Sequence, residues 1–494
     1  MSTVPLSTRR SPAAISRDAP VVVIGAGPVG LAAAAQLAQR GIPLRVFEAG
    51  ASVAGHVAGY GHVRLFSSWR YNIDRAARAL LQHEGWTPPP EDVLPTAGQL
   101  VADYLEPLAQ SAALQPHIQY GARVVGVSRW GVDKAKTAGR SEADFVVVVE
   151  TPDGVVEQRA HAVIDASGTW GHHNPMGAHG LAAPGEYSAR AHISYGMPDI
   201  LGAQRHRFAG RKVLVVGAGH SAAGSLLALA TLADAESGTQ LVWAVRGTDL
   251  RRLFGGGDKD GLPARGALGQ RLQALVQQGR LELRLGFSIH SLQWLGQSIR
   301  VHAIDGNQPA IDSVDELVVA TGSRPDLTML RELRTRFDPW LESTEALAPL
   351  IDPNVHSCGT VRPHGHRELA HPDEPNFYAI GAKSYGRAPN FLMATGYEQA
   401  RSVVAALAGD LEAADQVQLE LPETGVCSVD LSGAGPGALV TVASACCGGP
   451  AKVDAKAACC ALDEVAKNQG RSGCGCGGAP ATGGQAAASV ACCS

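Results

Sequence analysis

Two glycine triplets and four cysteine pairs are the groups in this chain whose spacing could do chemistry. Gly25-x-Gly27-x-x-Gly30 follows four apolar, mostly β-branched residues, Val21 to Ile24, and opens an alanine-rich run that stops at Gly41. A buried strand, a tight turn and a helix in that order suit a pyrophosphate. Gly25 permits the turn, Gly27 lets backbone approach the phosphates, and Gly30 lets the helix lie against the strand, so that the positive helix N-terminus meets the anion. Leu44 to Glu48 reads as the next strand. Glu48 stands eighteen residues after Gly30, where a carboxylate would accept the hydroxyls of an adenosine ribose. A lone triplet is weak evidence, but strand, turn, helix and carboxylate in register argue against a glycine-rich surface loop.

The plan restarts at Arg211. Lys212 to Val216 leads to Gly217-x-Gly219-x-x-Ala222, which contains Ser221, then to an Ala/Leu helix and to a strand, Leu241 to Val245, ending at Arg246. A cation at the place of Glu48 fits the extra 2′-phosphate of NADPH, a solvated surface arginine being the alternative. Arg251 and Arg252 are further phosphate candidates, or a plain charged face. Each unit also ends in a buried strand and a small-residue turn: Ala162 to Gly168, with Ser167 and Gly168, and Glu316 to Gly322, with Thr321 and Gly322. Phe145 to Glu150 and Val155-Val156 predict a hairpin round Gly154. A second meander is expected from strands near Leu281 to Leu285 and Ser298 to Ala303. Gly25 thus pairs with Gly217, and Gly168 with Gly322.

Two nucleotide units in one chain imply two nucleotides face to face, and the productive contents are one flavin and one nicotinamide. The expected fold class is α/β, with two Rossmann-like dinucleotide-binding domains, the NADP domain inserted in the FAD domain. The boundaries read as 20–175 for the first part of the FAD domain, 205–323 for the NAD(P)H domain and 324–422 for the return segment. In that segment a short strand from Asn376 ends at Gly381, and the helix reaching to about Ala408 would aim its N-terminus at the flavin.

The aromatic and polar stretch from Gly59 to Asn72 reads as a loop over a ligand. Trp69, Arg70, Tyr71 and Asn72 are the candidates for the flavin's reactive face, with Asn72 as a hydrogen-bond donor; a loop asparagine satisfied within its own loop is the alternative. His192 and Tyr195 would guard the cleft between domains or serve as hinge residues.

The 42 basic and 46 acidic residues among 494 leave a net charge of −4, without a run of Lys and Arg for nucleic acid. The first nineteen residues lack a signal-type apolar stretch, and no segment has the length of a membrane span. The expectation is a soluble cytoplasmic protein, and a homodimer is compatible with it. Cys358 and Cys427 stand alone, whereas Cys446-Cys447, Cys459-Cys460, Cys474-x-Cys476 and Cys492-Cys493 crowd into a Cys-, Gly- and Ala-rich tail, 423–494, expected to be disordered. Adjacent α-carbons lie about 3.8 Å apart, too close for a ready disulfide within a pair. The eight thiols are therefore candidate ligands for a thiophilic metal or metalloid.

The order Gly25-x-Gly27-x-x-Gly30, Asp165-Ala-Ser-Gly168, Gly217-x-Gly219-x-Ser221-Ala222 and Ala320-Thr-Gly322 resembles the flavin-containing monooxygenase-like branch of the two-dinucleotide-binding-domain flavoproteins. The likeness spans roughly residues 20 to 410. It implies reduction of FAD by NADPH, then use of molecular oxygen on a small soft nucleophile. The branch's linker signature is only approximated by Gly185 through His192-Ile-Ser-Tyr195. The tail resembles those of arsenic and heavy-metal resistance flavoproteins, and Cys492-Cys493 is similar to the terminal thiol pair of mercuric reductases. Their Cys-x4-Cys after the first glycine motif has no counterpart in residues 50 to 70. Three functions are implied, in this order: a monooxygenase-like FAD- and NADPH-dependent oxidoreductase acting on a soft nucleophile or a thiophilic metalloid such as an arsenical; a metal or thiol reductase without oxygen insertion; and a metal-sequestering protein with a flavoprotein core.

Overall fold

A strand whose every residue is buried must have neighbours on both sides, and Val21–Ile24 (β1) is such a strand. The computed structural model describes residues 19–419 apart from 249, 251–253, 255–262, 356–363 and 389–391. All ten cysteines, Arg251 and Arg252 lie outside the described residues. β1 pairs in parallel with β2 (Leu44–Phe47) on one side, and β2 with the short β3 (Ile118–Gln119). After β4 (Arg123–Arg129), β5 (Phe145–Thr151) and β6 (Gly154–Ala160), β7 (Ala162–Asp165) pairs with β1 on its other side.

A second parallel sheet is formed from β8 (Ile193–Tyr195), β9 (Lys212–Val216), β10 (Gln240–Val245), β11 (Glu282–Leu285) and, after β12 (Ile289–Trp294), β13 (Ile299–Ala303) and β14 (Ile311–Val314), β15 (Glu316–Val319). Only then does β16 (Phe377–Ala379) return to pair with β7. The sheets run β16-β7-β1-β2-β3 and β11-β10-β9-β15-β8, so the second unit is an insertion in the first. Within them β2-β1-β7 and β10-β9-β15 are the same arrangement made twice.

The meander differs from expectation. Leu283 and its neighbours join the second sheet, parallel to β10, and the antiparallel meander is β12-β13-β14. An alternating apolar pattern specifies a strand but not its partner, so it cannot tell β11 from a meander strand. The hairpin predicted at Phe145 is present as β5-β6, with β4 as an unanticipated third strand.

Helix Pro28–Gln39 (α1) makes the crossover from β1 to β2, and Ala32 to Ala35 are completely buried, small enough to let it lie close to the sheet. Helix Met393–Leu407 packs in the same core. Buried Glu374 fastens the return segment to the β4-β5-β6 sheet: its carboxylate meets Arg129 at 2.5 Å and Arg140 at 2.9 Å and accepts from the Arg334 N–H at 2.8 Å. Among the described residues, no helix is long and apolar enough to cross a membrane.

Asp74 caps helix Arg75–His83, accepting from the Ala77 N–H at 2.9 Å. Burial lifts its carboxyl to about 6, against the hydrogen bonds it accepts. An acid whose folded value lies above its unfolded value of about 3.9 stabilises the fold when protonated, and this contribution is lost as pH rises through about 6. Asp74→Asn keeps the cap without the charge. Its melting temperature is expected to match the parent near pH 4 and exceed it above pH 7, as followed by circular dichroism; parallel curves over that range would refute the assignment.

Candidate functional site

The first glycine turn is closed behind and open in front. Gly25 adopts φ +96°, and a Cβ there would sit 3.0 Å from the carbonyl oxygen of Ala166; a Cβ on Gly30 would lie 2.0 Å from the Gly25 carbonyl oxygen. A Cβ on Gly27 would meet nothing within 4 Å. Helix α1 starts without a side-chain cap, Gly27 occupying that position and Pro28 the first turn, so its leading N–H groups face this open side. The carboxylate of Glu48 is already oriented, accepting from the N–H of Ala26 at 2.8 Å and of Gly50 at 2.7 Å. Ser167 and Gly168 lie in the turn beside Gly25, and a Cβ on Gly381 would touch Val29 at 3.4 Å. The sheet order thus gathers Gly25, Gly27, Gly30, Glu48, Ser167, Gly168 and Gly381 at one edge. These residues fit the pyrophosphate and ribose of FAD.

The second unit repeats this geometry. Gly217 adopts φ +124°, with a would-be Cβ 2.3 Å from the carbonyl oxygen of Ala320, and Gly219, with open space before it, starts helix His220–Ala235 without a side-chain cap. Ser221 lies in its first turn, half-buried, and Arg246 is exposed just after β10. Thr321 and Gly322 follow β15, where Thr321 Oγ1 donates to the Asn174 carbonyl at 2.7 Å and Asn174 Nδ2 donates to the Thr321 carbonyl at 3.1 Å. Ser323 Oγ donates to Thr169 Oγ1 at 2.9 Å, and the Arg324 N–H donates to the His172 carbonyl at 3.0 Å. The segment leaving Gly168 is thereby laced to the segment leaving Gly322, which brings the ends of the two units together.

Aromatic rings line this seam. Tyr60 lies 4.7 Å from Trp170 between ring centroids, Trp170 lies 5.5 Å from His173 edge-on, and His173 stacks on Tyr195 at 5.5 Å. Phe66, from the predicted ligand loop, meets His220 at the second glycine helix at 5.4 Å. Burial, and then the like charges of His56 and His172, hold the His173 imidazole below its usual range, so it favours the neutral form. Tyr195 donates to Glu186, and burial followed by that carboxylate pushes its phenol up. His192 stands at the other end of β8, where it contacts Glu316 at 3.1 Å and stacks on Trp294.

The remaining candidates lie elsewhere. Asn72 is completely buried, and its amide is spent on its own loop: Ser67 Oγ donates to Asn72 Oδ1 at 2.8 Å, and Asn72 Nδ2 donates to the Ser67 carbonyl at 2.7 Å. Trp69 is buried in the core. Arg70 and Tyr71 line a groove of about 630 Å³ with Gln36, Gln39 and Arg40, at the end of α1 opposite Gly27, and Arg70 faces Glu91 at 3.8 Å. Sequence reasoning did not single out Trp170 and His173, although the run Thr169-Trp-Gly-His-His after Gly168 carries the signal.

The family model described as pyridine nucleotide-disulphide oxidoreductase matches residues 22–360. Similar solved structures include the bacillithiol disulfide reductase Bdr of Bacillus cereus, with TM-score 0.58 and 19% identity over 79% of this chain and 98% of that one. The cadaverine monooxygenase DfoA of Erwinia amylovora aligns with TM-score 0.55 and 14% identity over 79% of this chain and 94% of that one. The ornithine hydroxylase PvdA of Pseudomonas aeruginosa gives 0.51 and 16% over 80% and 99%. At these identities the likeness is one of fold. No curated protein sequence matches significantly.

The glycines that meet nothing provide a test of the cradles. Ala at Gly27 or Gly219 requires no unusual φ and displaces no protein atom. Gly27→Ala is expected to leave the melting temperature of the flavin-free protein unchanged while weakening FAD about tenfold or more; Gly219→Ala is expected to keep FAD and raise the KM for NADPH by a similar factor. Unaltered affinities, by flavin titration and steady-state kinetics, would show that these openings hold no phosphate.

Proposed function

As the chain belongs to the pyridine nucleotide-disulphide oxidoreductase family, we propose that this flavin-dependent oxidoreductase is NADPH-specific and monooxygenase-like, acting on a small soft nucleophile or thiophilic metalloid compound, an arsenical among them. The observation that favours oxygenation over disulfide exchange is that residues 1–357 contain no cysteine. Neither glycine cradle therefore has a thiol in its own sequence to relay electrons. Bound FAD would supply hydride acceptance from NADPH and, once reduced, reactivity with oxygen.

The chain's part is to bind, orient and exclude water. The leading N–H groups of α1 hold the FAD pyrophosphate and Glu48 its adenosine ribose; the Gly219 helix holds the second nucleotide, with Arg246 on its 2′-phosphate. The ring series Tyr60, Trp170, His173 and Tyr195 packs the seam where the two units meet and limits water there. The eight tail thiols would capture the thiophilic substrate. These same thiols favour a second reading, a reductase that passes electrons to a tail-bound metal without oxygen insertion.

Anaerobic mixing is expected to bleach the flavin with NADPH faster than with NADH, and admission of air with trivalent arsenicals or thiols is expected to raise oxygen uptake above the substrate-free rate. Bleaching without substrate-dependent uptake would favour the reductase. Arg246→Ala is expected to raise the KM for NADPH about tenfold and leave that for NADH unchanged. Truncation at Pro422 that spares turnover of the metalloid would remove the tail from the mechanism.

A further inference from the structure

One charged side chain is buried where β1, β7 and β16 end together. Lys383 follows Gly381 by two residues and its side chain is 1% exposed; its Nζ lies 2.6 Å from Oδ2 of Asp165, which is 0% exposed, and donates to Ser167 Oγ at 3.0 Å. The other carboxylate oxygen of Asp165 accepts from Ser167 Oγ at 2.7 Å and from the Ser167 N–H at 3.1 Å. An ammonium has three donors; among the described residues Nζ makes one hydrogen bond, to Ser167 Oγ, and one ion-pair contact, with Asp165 Oδ2, which accepts no hydrogen bond there. A buried donor normally has a partner, and a buried ion pair does not by itself stabilise a fold.

The surroundings indicate where the third partner comes from. The Cα of Ser167 is 3.2 Å from the position a Cβ on Gly25 would take, Gly168 at φ +71° has nothing within 4 Å of its own Cβ position, and Gly381 rests on Val29 of α1. Lys383 is therefore anchored in the turn that borders the open cradle, not in the apolar core behind it. We infer that Lys383 is a binding residue for FAD, its third donor serving an oxygen of the cofactor's polyol-phosphate chain, while Asp165 and Ser167 hold the ammonium in place. This inference rests on the assignment of the first cradle to FAD.

The test uses the full chain, stripped of flavin and titrated with FAD by fluorescence. A colourless parent protein that binds no FAD would overturn the cradle assignment itself, a failure distinct from any result on the lysine. Lys383→Met alone strands a buried carboxylate and is expected to lower stability as well as affinity. The double variant D165N/K383M removes both charges. It is expected to recover the melting temperature of the flavin-free parent to within a few degrees while its FAD dissociation constant stays about tenfold or more above the parent's. Parental affinity in the double variant would overturn the inference, since Lys383 would then only neutralise Asp165. A second measurement needs no change at this pair in the protein observed: in protein labelled with ε-15N lysine, the Lys383 ammonium signal, identified by its loss in K383R, is expected to shift on addition of FAD. A signal that stays in place would equally overturn the inference.

Discussion

Three parallel strands, β16, β7 and β1, end at the same level, and at that level a helix presses on a turn so closely that only glycine fits. A Cβ at Gly30 would lie 2.0 Å from the Gly25 carbonyl oxygen, and one at Gly25 would lie 3.0 Å from that of Ala166. That clearance fixes how near α1 stands to the sheet, and with it the position of the helix N-terminus. It depends in turn on pairing between segments more than two hundred residues apart, since Ala379 sits opposite Asp165 only after the whole second unit has been inserted. The cradle is thus a product of long-range topology, while its lining is local sequence.

The second unit shows that the arrangement is a physical solution and not an accident of one sequence. Gly217 stands to Ala320 as Gly25 stands to Ala166, and both following turns use a glycine at positive φ, Gly168 at +71° and Gly322 at +84°. Where the units differ is the seam. Thr169 to Asn174 leaves the first turn and bonds to Thr321 through Arg324 of the second, so the two glycine edges are joined by backbone and short polar side chains beside the rings that line the seam.

What can be read from sequence is whatever is encoded locally. Val21 to Gly30 and Lys212 to Gly219 carry strand, turn and helix in consecutive residues, and the structure has them where the pattern puts them. β11 is legible as a strand but not as a member of the second sheet, because partner choice is settled by packing on β10. Side-chain direction is equally invisible. Asn72, Trp69 and Arg70 are close neighbours in a promising stretch, yet one turn of helix points them at the loop, the core and a distant groove respectively. Lys383 shows the converse, since a single lysine between alanine and serine gives no signal until the fold sets it beside Asp165.

On the proposed assignment the two cradles would hold their nucleotides with different tenacity. Glu48 is positioned before any ligand arrives, because two backbone N–H groups already bind its carboxylate, so little side-chain freedom is left to lose on binding a ribose. Arg246, exposed at the mirrored strand end, has a long side chain whose ordering costs about 1–2 kcal/mol when a phosphate fixes it. On the proposed assignment that asymmetry matches what the chemistry requires: a flavin that stays through many turnovers, and a nicotinamide nucleotide that must leave after each one.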